Sequence, residues 1–194
     1  MRIFIAFDLD DAIRARIELF MDGVRGLAPD ARWVRPESLH VTLKFIGNKS
    51  AEDAEEIKQA VSRIPAAATE IGFRGYGFFP TARAPRVFWI GVETSPQLVA
   101  LAKSVDGAAA ALGVPKEEHA FSPHLTLARR GGSSTPRWRK GDAPNHSFQQ
   151  LQEKLAAISP LEFGTMAARE FFLFESQLGR GGSRYTKIAR FGLR

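Results

Sequence analysis

Pro36-Glu37-Ser38-Leu39-His40-Val41-Thr42-Leu43 and Ala120-Phe121-Ser122-Pro123-His124-Leu125-Thr126-Leu127 are two versions of one pattern, their histidines 84 positions apart in a chain of 194 residues. Each reads as a strand in which polar and aliphatic residues alternate. Side chains two apart on a strand share a face, so His40 stands with Thr42 and His124 with Thr126, while Val41, Leu43, Leu125 and Leu127 turn to a core. A repeat at close to half the chain length predicts two similar lobes, each supplying one copy. Side by side, two such strands would set two imidazoles and two hydroxyls around one pocket of a size that fits a phosphate. With 4 His and 8 Thr in the chain, two His-x-Thr spacings arise by accident roughly once in a hundred sequences.

Working outward, Arg2 to Leu9 is an Ile- and Phe-rich strand that starts almost at the first residue. Asp10 or Asp11 then caps a helix whose Ile13, Ile17, Phe20, Met21 and Val24 recur at three- and four-residue steps. The His40 strand, Ser38 to Ile46, closes at Gly47-Asn48, and Ser50 caps a helix that runs to about Ile64 and stops at Pro65. Glu70 to Phe79 and Arg86 to Glu93 read as strands joined by a turn at Pro80 to Pro85, followed by a helix from Pro96 to about Leu112. Beyond the strand Ala120 to Arg129, Gly131 to Asn145 collects Gly, Ser, Pro, Arg and Lys and reads as a surface loop. Phe148 to Ile158 is helical; Leu161 to Met166, Glu170 to Glu175 and Tyr185 to Phe191 are strands. The prediction is an α+β fold, a duplicated two-lobed arrangement of antiparallel-rich sheets flanked by helices around a central cleft, with residues 1–194 as a single domain.

Hydrophobic residues make up 44% and charged residues 25% of the chain, the balance of a protein that folds on its own core. The net charge of +6 is carried largely by Arg, 19 of the 27 basic residues. Guanidinium forks pair with phosphate, so the bias suits a nucleotide or nucleic acid, although plain solvation accounts for it equally well. The absence of Cys excludes disulfides, thiolate nucleophiles and Cys-ligated zinc. The apolar run Ile3 to Phe7 is too short for a signal segment, and no stretch approaches membrane-spanning length. The expectation is a cytoplasmic monomer without a membrane partner.

Opening a cyclic phosphodiester requires one group to take a proton from water and another to protonate the departing ribose oxygen. Imidazole titrates in the right range for both tasks and needs no metal. Hydroxyl and guanidinium donors stabilise the charge that gathers on the phosphoryl oxygens, which places Thr42, Thr126 and Arg129 as phosphate-binding candidates.

The chain also resembles the 2H phosphoesterases, in particular the RNA 2′,3′-cyclic phosphodiesterases, historically called 2′-5′ RNA ligases. The likeness runs through Arg2-Ile3-Phe4-Ile5-Ala6-Phe7-Asp8-Leu9, Trp33-Val34-Arg35-Pro36, His40-Val41-Thr42-Leu43-Lys44-Phe45-Ile46-Gly47, Ser122-Pro123-His124-Leu125-Thr126-Leu127-Ala128-Arg129 and the tail from Gly182 to Phe191. It implies a cofactor-free, metal-free cleft in which His40 and His124 are catalytic, Arg129 binds phosphate, and the product is a 2′-phosphomonoester. His124 is then assigned to activate water and His40 to protonate the leaving oxygen. The partner implied is RNA ending in a 2′,3′-cyclic phosphate, such as tRNA fragments or oligonucleotides. Two alternatives stand beside this: a module that binds such ends without turnover, and an enzyme that runs the chemistry backwards to join RNA.

Other residues carry weaker signals. Phe7 and Tyr185 are candidates for lining a nucleoside pocket, with sheet packing an equal alternative. His119 could be read with His40 and His124 as a zinc triad, but the ligand spacing such a site needs is missing, and His146 reads as a surface residue. Trp33 and Trp89 read as core. Gly179-Arg180-Gly181-Gly182 lacks the Lys-Ser/Thr and helix of a phosphate-cradling loop and reads as a hairpin turn. The loop with Arg130, Arg137, Trp138, Arg139 and Lys140 could grip RNA or simply be solvated.

Overall fold

Of the two candidate caps Asp10 and Asp11, Asp10 begins the first helix: its carboxylate accepts the Ile13 N–H at 2.7 Å. The helix α1 (Asp11–Val24) then buries Ile13, Ile17, Met21 and Val24 along one stripe. The helix α2 (Ala51–Ser62) opens on a reciprocal capping box between Ser50 and Asp53. Ser95 caps α3 (Pro96–Ala110), with Pro in the first turn where its missing N–H costs nothing. A short α4 (Gln149–Ala156) completes the helices of the described residues. The structure is a computed structural model, and it describes residues 1–131, 148–158, 160–179 and 182–194. The expected loop from Gly131 to Asn145 and His146 therefore lie outside the described residues, Gly131 excepted.

The strands are β1 (Arg2–Asp8), β2 (Ala31–Trp33), β3 (His40–Asn48), β4 (Thr69–Phe79), β5 (Val87–Val92), β6 (His124–Arg130), β7 (Glu162–Ala168), β8 (Glu170–Gly179) and β9 (Gly182–Gly192). All their pairings among the described residues are antiparallel. The order is β7-β4-β5-β6-β3-β1-β8-β9, with β2 also on β6. This order has mirrored roles about the β3/β6 junction. On either side, the His-bearing strand is flanked by the strand that precedes it by one helix, β1 or β5, then by a long strand, β8 or β4. The junction itself is one pair, Val41 opposite Leu125, and these are equivalent positions of the two His-x-Thr patterns. The α+β class, antiparallel and helix-flanked, is as expected.

Strand alternation divides the sheet into two faces. Ile3, Ile5 and Phe7 of β1, Val41 of β3 and Leu125 and Leu127 of β6 enter the main core, which takes buried residues from all four helices of the described residues. Phe4 and Ala6 point the other way and form a smaller cluster with Phe172 and Phe174, against which Tyr185 packs. Helices cover one face, and the opposite face carries the histidines.

Several boundaries differ from the sequence reading for local reasons. The strand expected from Ala120 begins only at His124, after Pro123, whose ring removes a ladder donor. The three-residue β2 was too short to show a period. The hairpin of β8 and β9 is longer than expected, with Gly179 still paired to Gly182. Among the described residues no helix is long and apolar enough to cross a membrane.

Candidate active site

The residues flanking the Val41/Leu125 bridge are the two motifs themselves. Because the pairing is antiparallel, position 40 lies on the side of 126 and position 42 on the side of 124, so each imidazole neighbours the other strand's threonine. Val41 and Leu125 are fully buried in the core, which turns His40, Thr42, His124 and Thr126 to the opposite face together. All four side chains are half-buried.

The two rings are held in the same way. His40 Nδ1 donates to the Ser38 carbonyl at 2.7 Å, and His124 Nδ1 donates to the Ser122 carbonyl at 3.0 Å. A carbonyl can only accept, so in both rings the Nδ1 proton is fixed and Nε2 is left to meet a ligand. Aromatic edges and faces close around each ring. Phe4 lies 4.8 Å and Tyr185 5.0 Å from His40 between ring centres, and Phe79 lies 5.0 Å and Trp89 6.1 Å from His124.

This apolar setting controls the charge. Burial, the largest influence, pulls the pKa of His40 down to about 4; the Ser38 carbonyl opposes it, Arg129 adds to it, Asp8 opposes it and His124 adds to it. His124 is lowered as well, first by burial and further by Arg129, against the Ser122 carbonyl. Both imidazoles are neutral at pH 7 without a ligand, and an anion between them would draw protons back onto the pair.

Arg129 lies on β6, an exposed side chain whose charge reaches both histidines. It stands in register with Arg32 of β2 and within Coulombic reach of Arg2. Two further guanidinium groups close to Arg129, which itself acts on both rings, make a local positive field suited to phosphate. Among the described residues, no three His, Asp or Glu side chains are grouped so as to hold a metal ion, and His119 is exposed.

Of the predicted site residues, His40, His124, Thr42, Thr126, Arg129 and Tyr185 gather on this face. Phe7 does not: it has no exposed surface and packs in the main core near Phe171. The reason is parity, since the aromatic residue of β1 that faces His40 sits at position 4. Trp89, read as core, is half-buried beside His124 instead. Sequence reasoning also missed Phe45. Leu43 is the extra residue of a bulge, because Ile5 pairs with Lys44 while Ala6 pairs with Thr42. The bulge turns Lys44 inward and returns Phe45, 58% exposed, to the His40 face near Phe4.

Lys44, 2% exposed, is a second feature the sequence did not mark. Its ammonium donates to the Pro115 carbonyl at 2.7 Å and pairs with Asp106 at 2.7 Å and Glu117 at 2.9 Å. Burial works to lower its pKa, and the bonds to Asp106 and Glu117 outweigh that and hold it above the usual lysine value. The strand of His40 is thereby tied to α3 and to the segment that leads into His124.

The LigT-like phosphoesterase family model matches residues 7–89 and again 90–185, so each half of the chain, with its own His-x-Thr, fits the same model. The chain belongs to this family. Among LigT-like relatives, an RNA 2′,3′-cyclic phosphodiesterase of Methanothermobacter thermautotrophicus is 32% identical over 195 residues, covering 100% of this chain and 99% of that protein. A protein of the same name from Archaeoglobus fulgidus is 31% identical over 191 residues, covering 98% and 99%. Escherichia coli LigT, in a crystal structure with 3′-AMP, superposes with a TM-score of 0.75 at 27% identity, covering 99% of this chain and 97% of LigT.

Proposed function

We propose that this chain hydrolyses terminal 2′,3′-cyclic phosphates on RNA to 2′-phosphomonoesters, using His40 and His124 as a metal-independent acid–base pair within a single two-lobed unit. One observation carries the reading: two imidazoles with identically fixed tautomers, each beside a threonine from the other strand, share one face across a single strand junction. The names of the family's relatives support the substrate class. The doubled family match and the mirrored strand order support the two lobes.

In this mechanism the cyclic phosphate lies between the two Nε2 atoms. His124, neutral, takes a proton from water as its oxygen attacks phosphorus. The phosphorus–O3′ bond breaks and His40, protonated in the complex, delivers its proton to O3′, leaving phosphate on O2′. Thr42, Thr126 and Arg129 donate to the non-bridging oxygens as charge gathers there. Tyr185 and Phe45 offer ring surface on the His40 side for the terminal nucleoside, with the buried Phe4 packed behind them.

The test is turnover of an oligoribonucleotide ending in a 2′,3′-cyclic phosphate, with the product phosphate mapped to O2′ or O3′. His40→Ala and His124→Ala are each expected to lower kcat by at least about 100-fold, while chelator leaves the wild type unchanged. Full activity in either variant overturns the assignment. Tight binding by the wild type without product would establish a binding module instead.

A further inference from the structure

The two halves of the site are not equivalent at one place. Opposite His40 on the neighbouring strand β1 stands Asp8; opposite His124 on the corresponding strand β5 stands Gly91. No carboxylate could take the second position, because a Cβ built on Gly91 would lie 2.3 Å from the Arg74 carbonyl oxygen. The sheet therefore admits a negative side chain beside one histidine and forbids it beside the other.

Asp8 is also kept charged. Its Oδ1 accepts the Leu9 N–H at 2.9 Å and an Arg14 N–H at 2.5 Å, and its Oδ2 lies 2.5 Å from the Lys187 ammonium. Burial works to raise its pKa, and the bonds from Lys187 and Arg14 outweigh that and hold it below the usual carboxylate value. Arg14 reaches the Pro36 carbonyl too, so the same cation ties Asp8 to the turn that leads into His40. Lys187 is itself seated over the Phe172 ring at 4.1 Å. Around His40 the remaining titratable groups are His124 and Arg129 of β6 and Tyr185 of β9, and the Ser38 carbonyl accepts its Nδ1 proton. Of these only the carbonyl favours the charged ring, so Asp8 is its sole fixed anion among the described residues.

We propose that Asp8 is a positioning residue that breaks the symmetry of the pair: once the anionic phosphate is bound, its fixed charge places the shared proton on His40, making His40 the acid and His124 the base. This rests on the acid–base reading above. Asp8 touches neither substrate nor reacting atoms in this scheme; it acts through the His40 ring. Lys187 moderates the effect by partly neutralising the carboxylate.

The test is a pH titration of the histidine ring signals by NMR, with adenosine 2′-monophosphate saturating, in wild type, Asp8→Asn and Lys187→Met; His40→Gln and His124→Gln assign the two rings. Asp8→Asn is expected to lower the His40 midpoint by about one pH unit and leave His124 within a few tenths. Lys187→Met is expected to move the His40 midpoint upward and leave His124 within a few tenths, whereas loosened packing would release both buried rings upward together. In turnover, Asp8→Asn lowers kcat about tenfold with little change in KM, and the alkaline limb of the kcat profile moves to lower pH. Equal shifts of both rings, or an unmoved His40 in both variants, overturn the proposal. The ring titrations read the Asp8–His40 coupling whether or not the protein turns over RNA, so failure of the proposed function and failure of this inference are told apart.

Discussion

A histidine whose Nδ1 donates to a backbone carbonyl offers one nitrogen to the solvent side, and burial decides how readily that nitrogen takes a proton. For His40 the consequence reaches stability. The unfolded chain binds this proton near 6.5, the ordinary imidazole value, and the folded protein only at about 4. Between those values the unfolded state holds more protons, so the linkage costs folding stability as pH falls through the window and nothing above it. From pH 7.5 to pH 5 the loss attributable to this ring is about 2 kcal/mol. His40→Gln removes it. Urea unfolding at the two pH values should show the variant gaining on wild type by about that amount at pH 5; an unchanged difference would mean the ring is not desolvated. Kinetics reads the same groups. The profile of kcat/KM reports the free enzyme, with both imidazoles depressed, and the profile of kcat reports the complex, where the phosphate anion draws them up. The kcat bell should therefore be centred at higher pH than the kcat/KM bell, measured over pH 4.5 to 9 with a cyclic nucleotide.

At the scale of the element, the wall beside His124 depends on a missing side chain. A Cβ on Gly77 of β4 would lie 2.2 Å from Cζ2 of Trp89, and Trp89 packs against both Phe79 and His124. Gly77→Ala should push the indole aside, costing about 1–3 kcal/mol by overpacking, and should lower kcat; thermal unfolding and turnover together check it. Lys44→Met should lower kcat more than it raises KM, since it cuts the tie between β3 and the segment entering His124. What the sequence revealed and concealed is plain in these strands. Period-two alternation showed that His40 and Thr42 share a face, and capping chemistry put the start of α1 at Asp10 or Asp11 and that of α2 at Ser50. Alternation alone does not say which face of β1 meets which neighbour, so Phe7 fits site and core equally in the sequence, while in the fold it is Phe4 that stands beside His40. It also cannot foresee a bulge, and the one at Leu43 sends Lys44 inward and Phe45 outward against the simple period. The roles of Asp8 and Trp89 depend on cross-strand register, which no local pattern contains.

Across the whole molecule, the two histidine-bearing strands meet at one backbone pair, and positive charge from separate elements gathers around Arg129 of β6. Arg2 of β1 and Arg32 of β2 each lie within Coulombic reach of Arg129 of β6, a gathering that repels itself until an anion arrives. Such a field holds RNA mainly through its phosphates, and contacts of that kind weaken as salt displaces the released counterions. Each phosphate contact to a single strand contributes about 0.7 to the slope of log affinity against log salt. Removing one guanidinium that binds phosphate should lower the slope by about that amount. Arg129→Gln, titrated with a cyclic-phosphate oligoribonucleotide from 50 to 300 mM salt under conditions without turnover, is expected to bind more weakly throughout and with a slope reduced by about 0.7. Arg63, which lines a separate cavity of about 720 Å³ between the end of α2 and β9, provides the control: Arg63→Gln should leave both affinity and slope unchanged. If the two variants lose slope equally, the RNA is held by net charge spread over the surface, and the gathering of arginines around Arg129 is not what selects the phosphate.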